Sequence, residues 1–231
     1  MRINVIGGGW ITAINCGRMR GGVRAILAAG DPQIPAVEAI YSTPPARHRR
    51  YDDYCHLGCA AVALALQDAG MDRAEAARAV GIVASTRYGC FETDVAFFAT
   101  AGEENGIYAS PSLFSYTLPG IAISEAAIHF KLSGPLFTVS DPIGQRGYRA
   151  LRVAVDLLSS GACETVLAGW LDAGTRLLKH PAAGDDGVRG AIFLVLSSGR
   201  EGKTIQTIRE QGFELFAASG TRISAISDLV T

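Results

Sequence analysis

Residues 60–71 read AAVALALQDAGM and residues 80–86 read VGIVAST, and these two stretches decide the fold class. The first is rich in alanine and leucine, which favour helix, and Gly70 is well placed to end it, so a helix is predicted over residues 57–69. The second is a short apolar run with β-branched residues, which predicts a buried strand over residues 80–85. A helix that leads into an apolar strand is typical of an α/β fold.

The same alternation continues on both sides of this unit. Further strands are predicted at residues 2–6, 136–140, 165–169 and 191–196, and further helices at residues 93–101, 121–130 and 148–159. This order predicts one α/β domain over residues 1–199, with a five-stranded, mainly parallel mixed sheet and helices on both faces. Residues 200–231 are expected to form a C-terminal tail, in which residues 204–208 are a candidate edge strand.

The charge balance argues against a nucleic-acid binder. The chain has 231 residues, with 21 Lys and Arg against 22 Asp and Glu, which gives a net charge of −1. Binding to a polyanion requires a concentrated basic surface, which this balance does not favour. Charged residues are only 19% and hydrophobic ones 48% of the chain, so we expect a partner subunit to cover part of its surface.

The sequence also predicts a location. Its longest apolar run, residues 59–66, is far shorter than the roughly 20 residues of a membrane-spanning helix, so no membrane span is expected. The first 11 residues are too short and too rich in glycine for the core of a signal peptide, which favours a cytoplasmic protein. The odd number of cysteines, five, fits a reducing compartment better than a disulfide framework.

Gly7, Gly8 and Gly9 follow the first predicted strand and indicate a tight turn there. Glycines in such a turn let a phosphate approach the backbone, so nucleotide binding is one interpretation. The third glycine of the dinucleotide fingerprint is missing, and Asp31 lies in a turn-like segment instead of closing a second strand. A structural turn is therefore the favoured interpretation, and no cofactor is predicted.

Four blocks follow one another in a recognisable order: AAVALALQDAGM (60–71), VGIVAST (80–86), SPSLFSYTLPGIAISEAAIHFKLSGP (110–135) and TVLAGWLDA (165–173). With the opening strand, their order and spacing resemble the N-terminal half of a β-ketoacyl synthase of the thiolase-like superfamily. The resemblance covers residues 1–199 and implies a thiolase-like half fold.

The turn after residues 136–140 departs from the family's pattern. Condensing enzymes of this family carry a nucleophilic cysteine there, just before a helix whose N-terminus favours the thiolate. Here the turn contains Asp141, Pro142, Ile143, Gly144 and Gln145. Counting from the preceding GP turn places Ile143 at the nucleophile position, whereas counting back from the next helix places Gly144 there. Neither residue can attack a thioester, so no catalytic residue is assigned.

Other nucleophiles and ligands do not replace that cysteine in the sequence. Cys163 comes after the helix, at the start of the next strand, where a buried structural thiol is expected. Cys55, His56 and Cys59 have the spacing of a weak metal site, but no second ligand pair follows, so no metal is predicted. The family's second half supplies two catalytic histidines, and this sequence ends where that half would begin.

The four histidines of the chain are expected to be surface or structural residues: His48, His56, His129 and His180.

A ketosynthase-like chain without the nucleophile resembles the chain-length factors of type II polyketide and aryl-polyene systems. Such factors pair with an active ketosynthase and shape the tunnel for the growing acyl chain. A glutamine often replaces their cysteine, and Gln145 lies one or two positions from that place. The resemblance implies a noncatalytic partner subunit in fatty-acid or polyketide biosynthesis. Its partner would be a full-length ketosynthase or a second copy, with an acyl carrier protein as a further candidate.

We expect docking through a sheet edge and the apolar segment 110–119. Phe114, Tyr116 and Leu118 are the candidates for the tunnel wall or the interface, because aromatic anchors dominate desolvated contacts. Ordinary core packing is an equally good interpretation of these three residues.

Two functions of other classes remain as alternatives. The first is a decarboxylase or acyltransferase that binds acyl thioesters and uses Ser140, Asp141 or Gln145. Turnover of malonyl or acyl carrier protein, lost on mutation of these residues, would distinguish it. The second is a nucleotide-binding protein that uses Gly7, Gly8 and Gly9, which titration with adenine dinucleotides would test.

Overall fold

Eight strands and six helices are found in the residues that the computed structural model describes, which are 2–73, 75–174, 184–199, 204–212 and 214–230. The strands are β1 (Arg2–Thr12), β2 (Cys16–Arg18), β3 (Val80–Thr86), β4 (Leu136–Ser140), β5 (Thr165–Asp172), β6 (Gly190–Ser197), β7 (Gln206–Gln211) and β8 (Glu214–Ala217). The helices are α1 (Val37–Ile40), α2 (Asp53–Asp68), α3 (Phe91–Gly102), α4 (Pro111–Phe114), α5 (Ile121–Phe130) and α6 (Tyr148–Ser159). No helix in these ranges is both long and apolar enough to cross a membrane.

All eight strands form a single mixed sheet in the order β4-β3-β5-β6-β1-β7-β8, with β2 beside β1. β3 pairs in parallel with β4 and β5, whereas β6 pairs antiparallel with both β5 and β1. Of the five predicted strands, β1, β3, β4 and β5 therefore run in one direction and β6 runs against them. The predicted class is confirmed, but the number of five strands is wrong because β2, β7 and β8 extend the sheet.

Helices cover both faces of the sheet, as predicted. α2 and α5 pack on one face, where α2 contacts β1, β5 and β6, and α5 contacts β3. α6 packs on the other face against β3, β4 and β5. Leu151, Val155 and Leu158 of α6 are buried against the sheet, while Arg149 and Asp156 lie on its exposed side. The inner face of α6 is thus apolar and its outer face polar.

The three glycines near the N-terminus have a packing role. They lie inside β1 and are buried, so the predicted turn after residue 6 is wrong. A Cβ on Gly7 would come within 2.6 Å of the Ala69 nitrogen, and one on Gly9 within 2.5 Å of the Ala65 nitrogen. The glycines let α2 approach the strand closely. Because α2 covers this backbone, a phosphate cannot reach it, and the nucleotide-binding interpretation is wrong as well.

The C-terminal part of the chain adds to the same sheet. The predicted strand at residues 204–208 is present as β7, which pairs with β1. It is not an edge strand, because β8 pairs with its other side. Ile208 and Leu215 are fully buried in the core on the α6 side of the sheet. The division between a domain at 1–199 and a separate tail stays a prediction.

Candidate functional site

The carboxyl ends of β3, β4 and β5 meet at one edge of the sheet, where ligands commonly bind in α/β folds. Four polar residues end or follow these strands and come together there: Ser85 and Thr86 of β3, Asp141 after β4, and Asp172 of β5. All four are buried. Hydrogen bonds among them and to the neighbouring loops define the candidate site.

Asp141 fixes the turn between β4 and α6, in which the family resemblance predicts the nucleophile position. Its Oδ2 accepts hydrogen bonds from the Ser85 hydroxyl and from the Gly147 N–H, each at 2.5 Å. Its Oδ1 accepts a weaker bond of 3.4 Å from the N–H of Arg149, in the first turn of α6. Burial raises the pKa of Asp141, and these hydrogen bonds oppose that shift. One carboxylate therefore joins β3 to both ends of the turn.

Asp172 fixes the loop that follows β3. Its Oδ1 accepts from the Thr86 hydroxyl at 2.8 Å and from the N–H groups of Arg87 at 2.8 Å and Tyr88 at 3.2 Å. Its Oδ2 accepts from the indole N–H of Trp170 at 2.7 Å. Burial raises the pKa of Asp172, and its four donors oppose the shift. Both carboxylate oxygens of Asp172 thus accept hydrogen bonds that stabilise the fold.

A third segment, residues 184–188, closes over the turn. Asp185 accepts a hydrogen bond from the Tyr88 hydroxyl, which lowers the pKa of Asp185, and Asp186 pairs with Arg146. The Arg146 guanidinium also lies 5.7 Å from the centroid of the Trp170 ring. The space left between these groups has a volume of about 30 Å³. That volume suits a water molecule and is much too small for an acyl thioester.

The remaining residues of the turn are exposed, namely Pro142, Ile143, Gly144 and Gln145, with Ile143 at 51%. The first three of them also line the small cavity. Gly144 has a φ of +79°, a left-handed conformation that disfavours any other side chain at this position. The turn spans seven residues between β4 and α6, so both ways of counting the nucleophile position fall inside it.

Ser140 and Gln145 do not join Asp141 in a common polar cluster. The Ser140 carbonyl accepts a hydrogen bond from the Arg149 guanidinium at 2.8 Å, and the residue is exposed. The Gln145 backbone N–H bonds to the Pro142 carbonyl, and the residue is also exposed. Of the three residues considered for acyl-thioester chemistry, only Asp141 points into the candidate site.

Cys163 lies far along the sheet from this turn. It is buried just before β5, at the amino end of the strand, where Gly81 of β3 is its neighbour. Asp141 is at the opposite, carboxyl end of the parallel strands. Burial raises the pKa of the Cys163 thiol, as expected for a structural cysteine.

Three histidines gather on the side of the sheet covered by α2 and α5. The rings of His48 and His56 are 4.5 Å apart, and Tyr41 contacts both His48 and His129. Burial lowers the pKa of both His56 and His129, and the nearby His48 adds to the shift at His56. His180 lies outside the described residues.

The candidate metal ligands are mostly inside the protein. Cys55 and Cys59 are buried in α2, and the Cys59 thiol donates a hydrogen bond to the Ala122 carbonyl at 3.3 Å. His56 is half-buried and contacts His48. Within the described ranges, no three His, Cys, Asp or Glu residues are arranged to hold a metal ion.

The three residues predicted for a tunnel wall or interface have different environments. Phe114 and Leu118 are 62% and 68% exposed, whereas Tyr116 is buried. Phe114 contacts Phe97 of α3 with ring centroids 5.3 Å apart. Tyr116 points towards Tyr51, at 6.2 Å between ring centroids. The structure therefore separates one core residue from two surface residues.

Exposed apolar side chains concentrate between α3 and α5. Those in this segment are Val95, Phe98, Ile107, Tyr108, Phe114 and Leu118, which we call the α3–α4 apolar surface. Gly120, two residues after Leu118, lies near β4, because a Cβ on Gly120 would be 3.6 Å from the Thr138 hydroxyl. β4 is an edge strand, and its Leu136 and Phe137 are 39% and 45% exposed. The exposed apolar side chains thus concentrate here, whereas the outer face of α6 is polar.

A sequence profile described as "Beta-ketoacyl synthase, N-terminal domain" matches residues 33–185. The chain belongs to the β-ketoacyl synthase family. The match confirms the resemblance of the four sequence blocks and extends over the candidate turn. A search of curated protein sequences gave no match.

Solved ketosynthase structures share the fold. The "ishigamide ketosynthase/chain length factor" has a TM-score of 0.69 at 17% identity, covering 90% of this chain and 66% of that one. A β-ketoacyl synthase from Burkholderia phymatum has a TM-score of 0.66 at 19% identity, with coverages of 90% and 62%. A ketosynthase (ApeO) in complex with its chain length factor (ApeC) from Xenorhabdus doucetiae has a TM-score of 0.62 at 15% identity, with coverages of 91% and 83%.

This chain thus spans less than two thirds of the length of the first two of these structures. At these identities the comparisons establish the thiolase-like ketosynthase fold.

Several residues of this ketosynthase-fold site were not recognised in the sequence. They are Ser85, Thr86, Tyr88, Arg146, Asp172 and Asp185. Thr86 and Asp172 each end an apolar strand with a polar residue, which was the available signal. Asp185 gave no signal, since only the folded chain brings it to Tyr88.

Proposed function

We propose that this protein is a noncatalytic, chain-length-factor-like partner subunit of a ketosynthase, in fatty-acid or polyketide-type biosynthesis. The observation that carries the proposal is the turn at residues 141–147. By the family resemblance, Ile143 or Gly144 occupies the expected nucleophile position in this turn, and Asp141 bonds the turn to β3 and α6. The enclosed volume of about 30 Å³ leaves no room for an acyl thioester at this point.

The exposed edge of β4 supports association with another chain. An edge strand offers unpaired N–H and C=O groups to a strand from a partner. Leu136 and Phe137 add exposed apolar side chains on this strand, and the α3–α4 apolar surface adjoins it. A concentration of exposed apolar side chains of this kind is typical of an interface. We infer that a ketosynthase covers β4 together with Phe114 and Leu118.

A carrier protein has a separate docking place in this proposal. Arg47 and Arg50 border a cavity of about 510 Å³, together with Ser112, Ser115 and Tyr116. Guanidinium groups and hydroxyls are suited to bind the phosphate of a phosphopantetheine arm. Arg47 also pairs with the buried Glu125 at 3.3 Å, which fixes its position beside the cavity. This surface is the candidate contact for an acyl carrier protein.

The test is co-expression with a full-length ketosynthase encoded nearby, followed by native mass measurement of the purified complex. We expect a stoichiometric heterodimer that Phe137→Lys disrupts, because a charge on the edge strand opposes strand pairing. Ile14→Lys is the matched control, since Ile14 is 55% exposed in the turn after β1, with three strands between β1 and β4. A change in product length with Phe114→Ala or Tyr116→Ala would further support the proposal.

Three outcomes would overturn it. Self-association without binding to the ketosynthase would favour a homodimeric protein of another role. Equal disruption by Phe137→Lys and Ile14→Lys would remove β4 from the interface. Turnover of malonyl or acyl carrier protein by the chain alone, lost with Asp141→Asn or Gln145→Ala, would make it an enzyme.

A further inference from the structure

Two histidine rings contact each other where the turn at residues 47–50 meets helix α2. The ring centroids of His48, in the turn, and His56, in α2, are 4.5 Å apart. Tyr51 contacts both rings, and Tyr41 contacts His48. Both histidines are half-buried, so water screens this contact only in part.

His48 attaches the turn to the helix. The turn is exposed apart from His48, and two buried residues, Pro45 and Tyr51, stand on either side of it. Within the turn, the Arg50 N–H donates to the Arg47 carbonyl at 2.8 Å and the Tyr51 N–H to the His48 carbonyl at 3.2 Å. The contact between the two imidazole rings therefore fixes the middle of the turn on α2.

The titratable and charged groups near the two rings come from the turn itself, from α2, from α5 and from the residue after α1. They are Tyr41, Arg47, Arg49, Arg50, Tyr51, Asp52, Asp53, Cys55, Cys59, Glu125 and His129. Burial raises the pKa of the two tyrosines and of the two thiols, which therefore stay neutral. The arginines add positive charge to the side of the pair that belongs to the turn.

The carboxylates of this group offset the positive charge only in part. Glu125 of α5 pairs with an arginine of the turn at 3.3 Å. Asp52 and Asp53 favour the protonated form of His56, but burial and the neighbouring His48 oppose it more strongly, so the pKa of His56 is lowered. A positive charge on both rings at once is thus unfavourable while the turn stays in place.

We propose that the contact between His48 and His56 is a pH-sensitive latch. At neutral pH both rings are uncharged, and the contact holds the turn at residues 47–50 against α2. As pH falls below about 6.5, both rings gain a positive charge and repel each other, and the turn opens. Arg47 and Arg50 of this turn border the cavity that the proposed function gives to an acyl carrier protein. Regulation of carrier docking rests on that proposed function, whereas the latch itself does not.

Hydrogen exchange of the full chain alone tests the latch, without a ketosynthase or a carrier protein. The exchange rates of the Arg50 and Tyr51 amides at pH 7.5 and 5.5, each divided into the intrinsic rate at that pH, give the protection of the turn. We expect protection to fall about fivefold at pH 5.5 in the unmodified chain. In His48→Gln, which has a neutral side chain at both pH values, protection should not change with pH.

His129→Gln is the matched control. His129 is also half-buried on this side of the sheet, but its ring contacts are with Tyr41 and Phe130. The fivefold fall in protection should therefore remain in this variant.

An NMR titration of the His56 ring gives a second readout, which applies even where the turn of His48→Gln is open at both pH values. Loss of the charged neighbour should raise the pKa of His56 in that variant. Four results would each overturn the latch: protection that does not change with pH in the unmodified chain, an equal fall in His48→Gln, loss of the fall in His129→Gln, or an equal pKa of His56 with and without His48.

Discussion

Asp141 and Asp172 are buried and accept hydrogen bonds from backbone N–H groups, whereas Asp53 and Glu92, at the same edge of the sheet, border a cavity open to solvent. The first pair encloses about 30 Å³ and the second helps to line about 500 Å³. The difference lies in what surrounds each carboxylate. Carboxylates that satisfy buried donors stabilise the fold, while exposed carboxylates at a cavity opening contribute little to it.

The largest expected effect belongs to Asp172→Ala. This change leaves four donors without their acceptor, including the N–H groups of Arg87 and Tyr88. Unsatisfied buried donors are costly, so the free energy of unfolding should fall by about 3 kcal/mol. Urea denaturation followed by tryptophan fluorescence measures it. A loss below about 1 kcal/mol would mean that the loop after β3 finds other acceptors and that the region is not closed as described.

Asp141→Ala should have the next largest effect. It removes the acceptor shared by the Ser85 hydroxyl and the Gly147 N–H, which we expect to cost about 2 kcal/mol of stability. Amide hydrogen exchange in residues 141–149 should become faster as the turn loosens. Asp156→Ala on the exposed face of α6 is the control, with an expected change within about 0.5 kcal/mol. Equal losses in the two variants would contradict a special role for Asp141.

In a pH series, the histidines His56 and His129 and the buried aspartates Asp141 and Asp172 should contribute to stability with opposite signs. The pKa of His56 and of His129 is lowered by burial, so the unfolded state binds protons more readily and stability falls as pH drops below about 6.5. The raised pKa of Asp141 and Asp172 has the reverse sign, because the folded state then binds protons more readily than the unfolded state. In unfolding measurements, the histidines should lower stability at pH 5.5 relative to pH 7.5, and the aspartates should oppose this change.

The double variant His56→Gln, His129→Gln identifies the source of that pH effect. The difference in stability between the two pH values should shrink in this variant, since the two groups that resist protonation are gone. An unchanged difference would assign the pH dependence to other groups. The change should be smaller than the effect of Asp141→Ala, because both histidines are only half-buried.

Asp53→Asn should have the smallest effect on stability. Asp53 is exposed in the first turn of α2, where a carboxylate contributes only through the helix dipole. We expect a change of about 0.5 kcal/mol or less in the free energy of unfolding. Thermal or urea unfolding measures it beside Asp172→Ala. A loss as large as that of Asp172→Ala would remove the distinction between carboxylates that stabilise the fold and carboxylates that face a cavity.

Much of the fold was predictable because its elements have local signals. β3 and β5 are continuous apolar runs. In α6, Leu151, Val155 and Leu158 recur at helical spacing and therefore predict one apolar face. β7 was predicted in part from residues 204–208, whereas β8 is short and begins with a charged residue, and only its pairing with β7 makes it a strand. Gly7 and Gly9 have the local appearance of a turn, and only the approach of α2 explains them.

The candidate site was predictable in part. The absence of a cysteine between Asp141 and Gln145 can be read directly from the sequence, as can the family to which the four blocks point. That Asp141 meets Ser85 could not be inferred, because 56 residues separate them along the chain. Phe114, Tyr116 and Leu118 have similar local patterns, yet Tyr116 alone is buried. Neighbours from other elements decide such exposure.

By itself the sequence determined the α/β alternation, the ketosynthase family and the absence of a cysteine between Asp141 and Gln145, since these depend on local patterns and on the order of motifs. Only the tertiary structure decided which carboxylates are buried and which border an open cavity. It also decided that β4 is an exposed edge strand and that helix α2 packs directly against Gly7 and Gly9 of β1. Burial and hydrogen bonding depend on residues distant in the chain, and folding alone brings those residues together.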